Sequence, residues 1–106
     1  MKIIYTNLEK LKMSKKIRNS AKGEDCSLRL GNCSSNETVV LCHIGKSRGM
    51  GIKCSDHFAV YACSNCHDII DGRVKNNFNL NLEKEKIRAL EETQLKLINK
   101  GLLCLN

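Results

Sequence analysis

Cys63-Ser-Asn-Cys66 puts two thiols on one tight turn; His67-Asp68 follows at once, and Asp71 lies one helical turn beyond His67. A C-x2-C knuckle lets two thiolates reach one ion at about 2.3 Å, and zinc is the ion such knuckles close around. A four-thiolate site needs a second pair. Cys26 and Cys33 are the first candidates, although their spacing exceeds the roughly two to four intervening residues of most sites and calls for a short hairpin that folds back. Cys42 and Cys54 are rival ligands, and His67 replacing a cysteine would give a Cys3His site. Cys104, in an apolar tail, reads as a buried free thiol. The competing reading of Cys63 and Cys66 is a redox pair, but no βαβ pattern surrounds them. A closed four-thiolate zinc site is structural and contributes folding free energy.

This composition calls for such a staple. The chain has 106 residues, enough for one domain, with no Trp and only Tyr5, Phe58, Tyr61 and Phe78 as aromatics. Eighteen Lys and Arg against 11 Asp and Glu leave a net charge of +7. That excess suits an anionic partner, nucleic acid being the commonest, and equally a merely soluble basic surface; charge alone does not separate the two. The leading apolar run is too short for a signal peptide, and no stretch approaches the ~18 apolar residues of a membrane span. Seven cysteines, an odd number without a secretion signal, point to a reducing compartment, so the expected location is the cytoplasm.

The elements that must position these residues can be sketched from pattern. In the Lys-rich residues 1–22, Leu8, Leu11, Ile17 and Ala21 suggest short helical pieces. Met13 offers an internal start, which makes residues 1–13 an N-terminal extension and residues 14–106 the domain. Residues 23–45 read as short strands: Cys26 to Leu30 alternates, Gly31-Asn32 signals a turn, and Thr38-Val-Val-Leu41 is β-branched. A loop with three glycines and three cations spans 45–54, and an apolar run over 58–62 enters Cys63. A helix capped by Ser64 or Asn65 runs toward Gly72, with Asp68 as a charge near its N-terminus. After an Asn-rich connector, a long amphipathic helix spans Leu82 to Lys100, with Ile87, Leu90, Leu97 and Ile98 as its buried face, a solvated acidic face and Gly101 at C′. Its exposed part is a candidate homodimer surface. The expected fold class is α+β, a small zinc-stapled treble-clef or ββα-metal domain with a long C-terminal helix.

Several runs then align in order with a known family. Ile17-Arg-Asn-Ser-Ala-Lys-Gly-Glu-Asp-Cys26, Cys33, Glu37-Thr-Val-Val-Leu-Cys-His43-Ile44, Gly49-Met-Gly-Ile-Lys53, Ala62-Cys-Ser-Asn-Cys-His-Asp68 and Ile70-Asp71 resemble the YbcO-type nucleases of lambdoid prophages. The resemblance covers roughly residues 14 to 102 and implies a zinc-binding HNH-like (His-Me finger) fold. Three positions depart from the family pattern. Cys42 stands where Ala precedes the histidine, Cys54-Ser55 where a Pro pair follows the glycine loop, and Gly72-Arg73 where two basic residues follow Asp71.

In a ββα-metal site a histidine ending a strand faces the first turn of a helix. Imidazole titrates near neutrality, so the strand histidine can take a proton from water. A divalent ion on the helix side neutralises the scissile phosphate and the departing oxygen. His43 is thereby the expected general base, and His67 with Asp71 at i+4 the expected ligands of a catalytic Mg or Mn ion. The structural reading of His43 is a satisfied histidine beside apolar residues, and His57 reads as surface. Lys46, Arg48 and Lys53 are the expected phosphate contacts, with Arg29 and Arg73 and further candidates in Arg18 and Lys22. Glycines 45, 49 and 51 would let backbone amides approach phosphate. The sequence therefore predicts a metal-dependent DNA endonuclease; the alternatives are a catalytically inactive zinc-finger nucleic-acid-binding module and a purely structural zinc protein.

Overall fold

The computed structural model describes residues 15–44, 58–76 and 79–103. Helix α1 is described over residues 15–19; strand β1 is Val40–His43, β2 is Ala59–Ala62, helix α2 is Ser64–Ile70 and α3 is Leu82–Asn99. The two strands form an antiparallel pair in which Val40 faces Ala62 and His43 faces Ala59. This is a small α+β architecture with a long C-terminal helix. Among the described residues, no helix is long and apolar enough to cross a membrane.

The register explains how the rest attaches. Ile44 N donates to Phe58 O at 2.9 Å, so alternate pairs along the ladder are hydrogen-bonded and Leu41–Tyr61 is not. Tyr61 therefore turns its amide and carbonyl away from β1. Ser27 N donates to Tyr61 O at 2.7 Å, and Tyr61 N donates to Thr93 Oγ1 at 3.1 Å. Thr93 and Ser27 close the triangle, Oγ1 to Oγ, at 3.2 Å. Both residues are fully buried, so these bonds satisfy groups that water does not reach. The Tyr61 side chain, also fully buried, reaches the end of α1, where its hydroxyl lies 2.7 Å from Ser20 Oγ. Lys96 Nζ sits 5.8 Å above its ring. One tyrosine thus ties α1, the Ser27 loop, β2 and α3 together, and Ile17, Ala21, Leu28, Val60, Ala89 and Leu97 pack around it.

Residues 24–39 depart from the expected strands. The Cys26-to-Leu30 run forms no strand and Gly31-Asn32 makes no hairpin; β1 begins at Val40, not Thr38. Arg29, Asn32, Ser35 and Thr38 all adopt positive φ, which no ladder accommodates. A loop without a sheet partner needs other donors for its carbonyls. Arg88 of α3 provides them, donating to Ser27 O at 2.9 Å and Leu28 O at 2.7 Å. Glu92, one turn on, contacts Arg88 and receives both Arg29 nitrogens at 2.8 Å. The acidic face of α3 is thus not wholly solvated, because Glu85 and Glu92 hold the arginine clamp.

Helix ends follow local rules. Asn81 Oδ1 accepts from Lys84 N to start α3, while Glu83 and Glu85 occupy the first turn. Gly101 takes φ +73, with its own N–H on Ile98 O and that of Leu102 on Leu97 O, a Schellman closure at the expected C′ position. Gly72 closes α2 in the same way, with Arg73 N on Asp68 O. The buried stripe of α3 is Ala89, Thr93 and Leu97. Leu90 packs partly against the core, but Ile87 of the expected face is 68% exposed. Small residues at 89 and 93 let the helix approach β2 closely, which bulky positions would prevent.

Replacing Thr93 with Val keeps the shape but strips the acceptor from Tyr61 N. Urea denaturation is expected to show a loss of about 1–3 kcal/mol. Glu92 supplies a pH signature. The Arg29 guanidinium first, then Arg88, holds its carboxyl at about 2, below the ordinary 4.5. A depressed carboxyl stabilises the fold above its unfolded value and loses that contribution as pH falls through its folded value. Glu92→Gln is therefore expected to cost about 1 kcal/mol at neutral pH, modest because the side chain is 33% exposed. The difference from wild type should vanish between pH 4.5 and 2.

Candidate metal centre

Cys26 and Cys33 come from the irregular loop, Cys63 from the end of β2 and Cys66 from the first turn of α2. Their four sulfurs lie within 4.8 Å of one another. Cys33 and Cys63 sulfurs are 3.9 Å apart, close to the about 3.8 Å between ligands of a tetrahedron with 2.3 Å bonds. The five described cysteines form no disulfide. Cys42 is buried in β1 and stands outside this group, as does His67, so the described ligand set is the four cysteines. Cys54 and Cys104 lie outside the described residues.

The backbone around the sulfurs is arranged to meet negative charge. Leu30 N points at Cys66 Sγ at 3.3 Å, Ser35 N at Cys33 Sγ at 3.4 Å, and Ser34 N at Cys63 Sγ at 3.5 Å. Cys66 N donates to Cys63 Sγ at 3.5 Å, which makes Cys63, rather than Ser64 or Asn65, the N-cap of α2. A sulfur at that terminus sits where the helix favours an anion. Ser64 and Asn65 instead fasten the opposing loop: Ser64 N donates to Thr38 Oγ1 at 3.1 Å, and Asn65 Nδ2 to Asn32 O at 2.7 Å.

These surroundings divide the thiols. A hydrogen bond from Cys66 holds Cys26 down at about 4 against the opposing effect of burial, and that shared bond together with burial pushes Cys66 up. Burial raises Cys33 as well. At Cys63 burial is outweighed by hydrogen bonds from Ser34 and Cys66, and the thiol is lowered. A divalent cation binds such sulfurs as thiolates and releases their protons. The donor chemistry and spacing fit a metal such as zinc.

Beside the cluster, His67 Nε2 and Asp71 Oδ2 are 3.0 Å apart across one turn of α2. Asp71 Oδ2 also lies 3.5 Å from Arg73 Nη2, while Asp68 pairs with Arg73 Nη1 at 3.3 Å. Asp68 is past the first turn, so its partner is Arg73 rather than the N-terminal amides. His43 ends β1 opposite Ala59, three ladder positions from the Val40–Ala62 pair that leads into the cysteine turn. Arg29 is engaged with Glu92. Lys46, Arg48, Lys53, His57 and glycines 45, 49 and 51 lie outside the described residues. Arg88, Glu92 and Thr93, which hold the cysteine loop, carry no mark in the hydrophobic pattern. The i,i+4 spacing of Arg88 and Glu92 was the one available signal.

Comparison with known proteins identifies relatives of this chain. A family profile described as "Putative nuclease YbcO" matches residues 15–102. Proteins named "Putative nuclease YbcO" from Escherichia coli (strain K12) and "Putative nuclease ybcO" from Enterobacteria phage 82 are each 46% identical over 61 residues, covering 54% of this chain and 64% of theirs. The chain thus spans just under two thirds of the length of these curated relatives. A solved chain titled "Structure of a putative bacteriophage protein from Escherichia coli str. K-12 substr. MG1655" superposes with a TM-score of 0.62 at 33% identity, over 81% of this chain and 100% of that one. With the profile spanning nearly every described element and the cysteine turns inside it, the chain belongs to the YbcO family.

Proposed function

We propose that this protein is a metal-dependent endonuclease that hydrolyses DNA phosphodiester bonds on an HNH-like domain comprising residues 14–106, with residues 1–13 as an extension. The observation that carries the reading is the His67–Asp71 pair, 3.0 Å apart on a helix whose first turn belongs to the cysteine cluster. A helix of seven residues anchored at its N-terminus by two sulfurs holds these side chains at a defined place. The relatives named as nucleases support the activity.

In this reading Cys26, Cys33, Cys63 and Cys66 hold a structural zinc. His67 and Asp71 would hold a Mg or Mn ion, which would supply charge neutralisation at the phosphate and the departing 3′ oxygen. His43 accepts a proton from water, whose oxygen forms the new bond to phosphorus. The bond to the 3′ oxygen breaks, leaving a 5′-phosphate and a 3′-hydroxyl that takes its proton from solvent. Lys46, Arg48 and Lys53 track the backbone; Arg29 and Arg73 are secondary because carboxylates already engage them. The protein works on DNA in the cytoplasm, which is the host's if the chain is phage-encoded.

One observation favours a binding-only module. Arg73 approaches the same Asp71 oxygen that faces His67, which neutralises the carboxylate without an ion. Plasmid nicking with Mg²⁺ or Mn²⁺ separates the two. Wild type should cut, His43→Ala should fall by about 10²–10⁴-fold, and both should bind DNA alike. Equal inertness with retained binding supports the module instead.

Metal analysis is expected to find about one zinc per chain. Cys63→Ser or Cys66→Ser should lose it, and a chelator should unfold the wild type. Retention of the metal by both variants overturns the ligand assignment.

A further inference from the structure

A shallow groove runs along α3, lined by Ile87, Leu90, Glu91, Gln94, Leu95 and Ile98. Ile87 and Leu95 are 68% and 55% exposed, so this apolar stripe extends from Leu90, at the edge of the core, beyond the buried one at Ala89, Thr93 and Leu97. The six residues recur at spacings of three and four, which keeps them on one face. Their order is symmetric about the point between Glu92 and Thr93. Ile87 mirrors Ile98, Leu90 mirrors Leu95, and Glu91 mirrors Gln94.

That symmetry identifies the occupant. A two-fold interface uses one patch twice and must complement itself when reversed. We infer that α3 pairs antiparallel with the α3 of a second copy of this chain, with Ile87 against Ile98, Leu90 against Leu95 and Glu91 against Gln94 across the dyad. The polar contact carries the charge argument. Glu91 meets an amide that can donate to it, in two copies, and meets no carboxylate. A face built for an unrelated helix has no need of this mirror order. The buried side of α3 stays on its own domain, held by Thr93, Arg88 and Leu97, so pairing leaves the cysteine cluster in place.

Sedimentation equilibrium on the full chain, over roughly 1–200 µM, tests the pairing. Wild type is expected to approach twice the single-chain mass, and Leu95→Glu to stay at single-chain mass with an unchanged circular dichroism spectrum. Position 94 reads the register. Gln94→Lys places a cation opposite Glu91 twice and should tighten the dimer about tenfold; Gln94→Glu should weaken it by a similar factor. Neither places a charge among apolar side chains, so they remain informative if Leu95→Glu fails to fold. A single-chain mass for wild type at every concentration overturns the inference. A dimer indifferent to all three substitutions does so too. So does a monomer whose groove takes up a hydrophobic dye only after residues 1–13 are removed, which would assign the groove to this chain's own leading segment.

Discussion

Four sulfurs converging from a loop, a strand end and a helix turn set the conditions that the rest of this protein meets. Bringing thiols that close in a chain without Trp leaves little room for a conventional core around them, and the backbone answers with N–H groups from residues 30, 34, 35 and 66. Each such amide lowers the cost of negative charge on sulfur, and those of Leu30 and Cys66 are buried donors that would otherwise be unpaired. The cluster and the local chain path are therefore one feature. The loop curls through positive φ at Arg29, Asn32 and Ser35 because its amides turn inward to sulfur instead of across to a strand.

That curl has a cost that α3 offsets. Carbonyls of Ser27 and Leu28 point outward without a ladder, and the Arg88 guanidinium takes both, oriented by Glu85 and Glu92. Thr93 performs the matching task for the free edge of β2, where Tyr61 turns its polar groups away from β1. The C-terminal helix is thus the closing element for a loop and a sheet edge, beyond supplying apolar area. Its closing residues are polar, and a hydrophobicity pattern weighs them as surface.

The same helix turn that begins at the Cys63 sulfur carries His67 and Asp71. Anchoring a seven-residue helix by its N-terminus matters because so short a helix has little stability of its own. Sulfur at the cap and the Gly72 closure at the other end hold it against β2, with Ile69 buried between. Any chemistry that uses this helix inherits its geometry from the cluster. The cysteine cluster and the candidate nuclease residues are in this sense mechanically one unit.

The sequence by itself determined the features set by short range. The Cys63–Cys66 knuckle, the Asn81 cap, the Gly101 closure, the bounds of α3 and the i,i+4 placement of His67 and Asp71 all follow from spacing within a few residues. The ordered motifs also sufficed to identify the family. Tertiary structure decided what depends on partners far along the chain. Cys26 and Cys33, with Cys42 excluded, joined Cys63 and Cys66 because the 26–33 loop folds onto α2 while Cys42 turns into the core. Cys63 displaced Ser64 as helix cap because Ser64 is drawn to Thr38. The buried face of α3 became Ala89-Thr93-Leu97 because Tyr61 needed a hydroxyl acceptor at close range. Local propensity cannot encode such choices, since each turns on a hydrogen bond or contact formed only when segments about 25 to 65 residues apart meet.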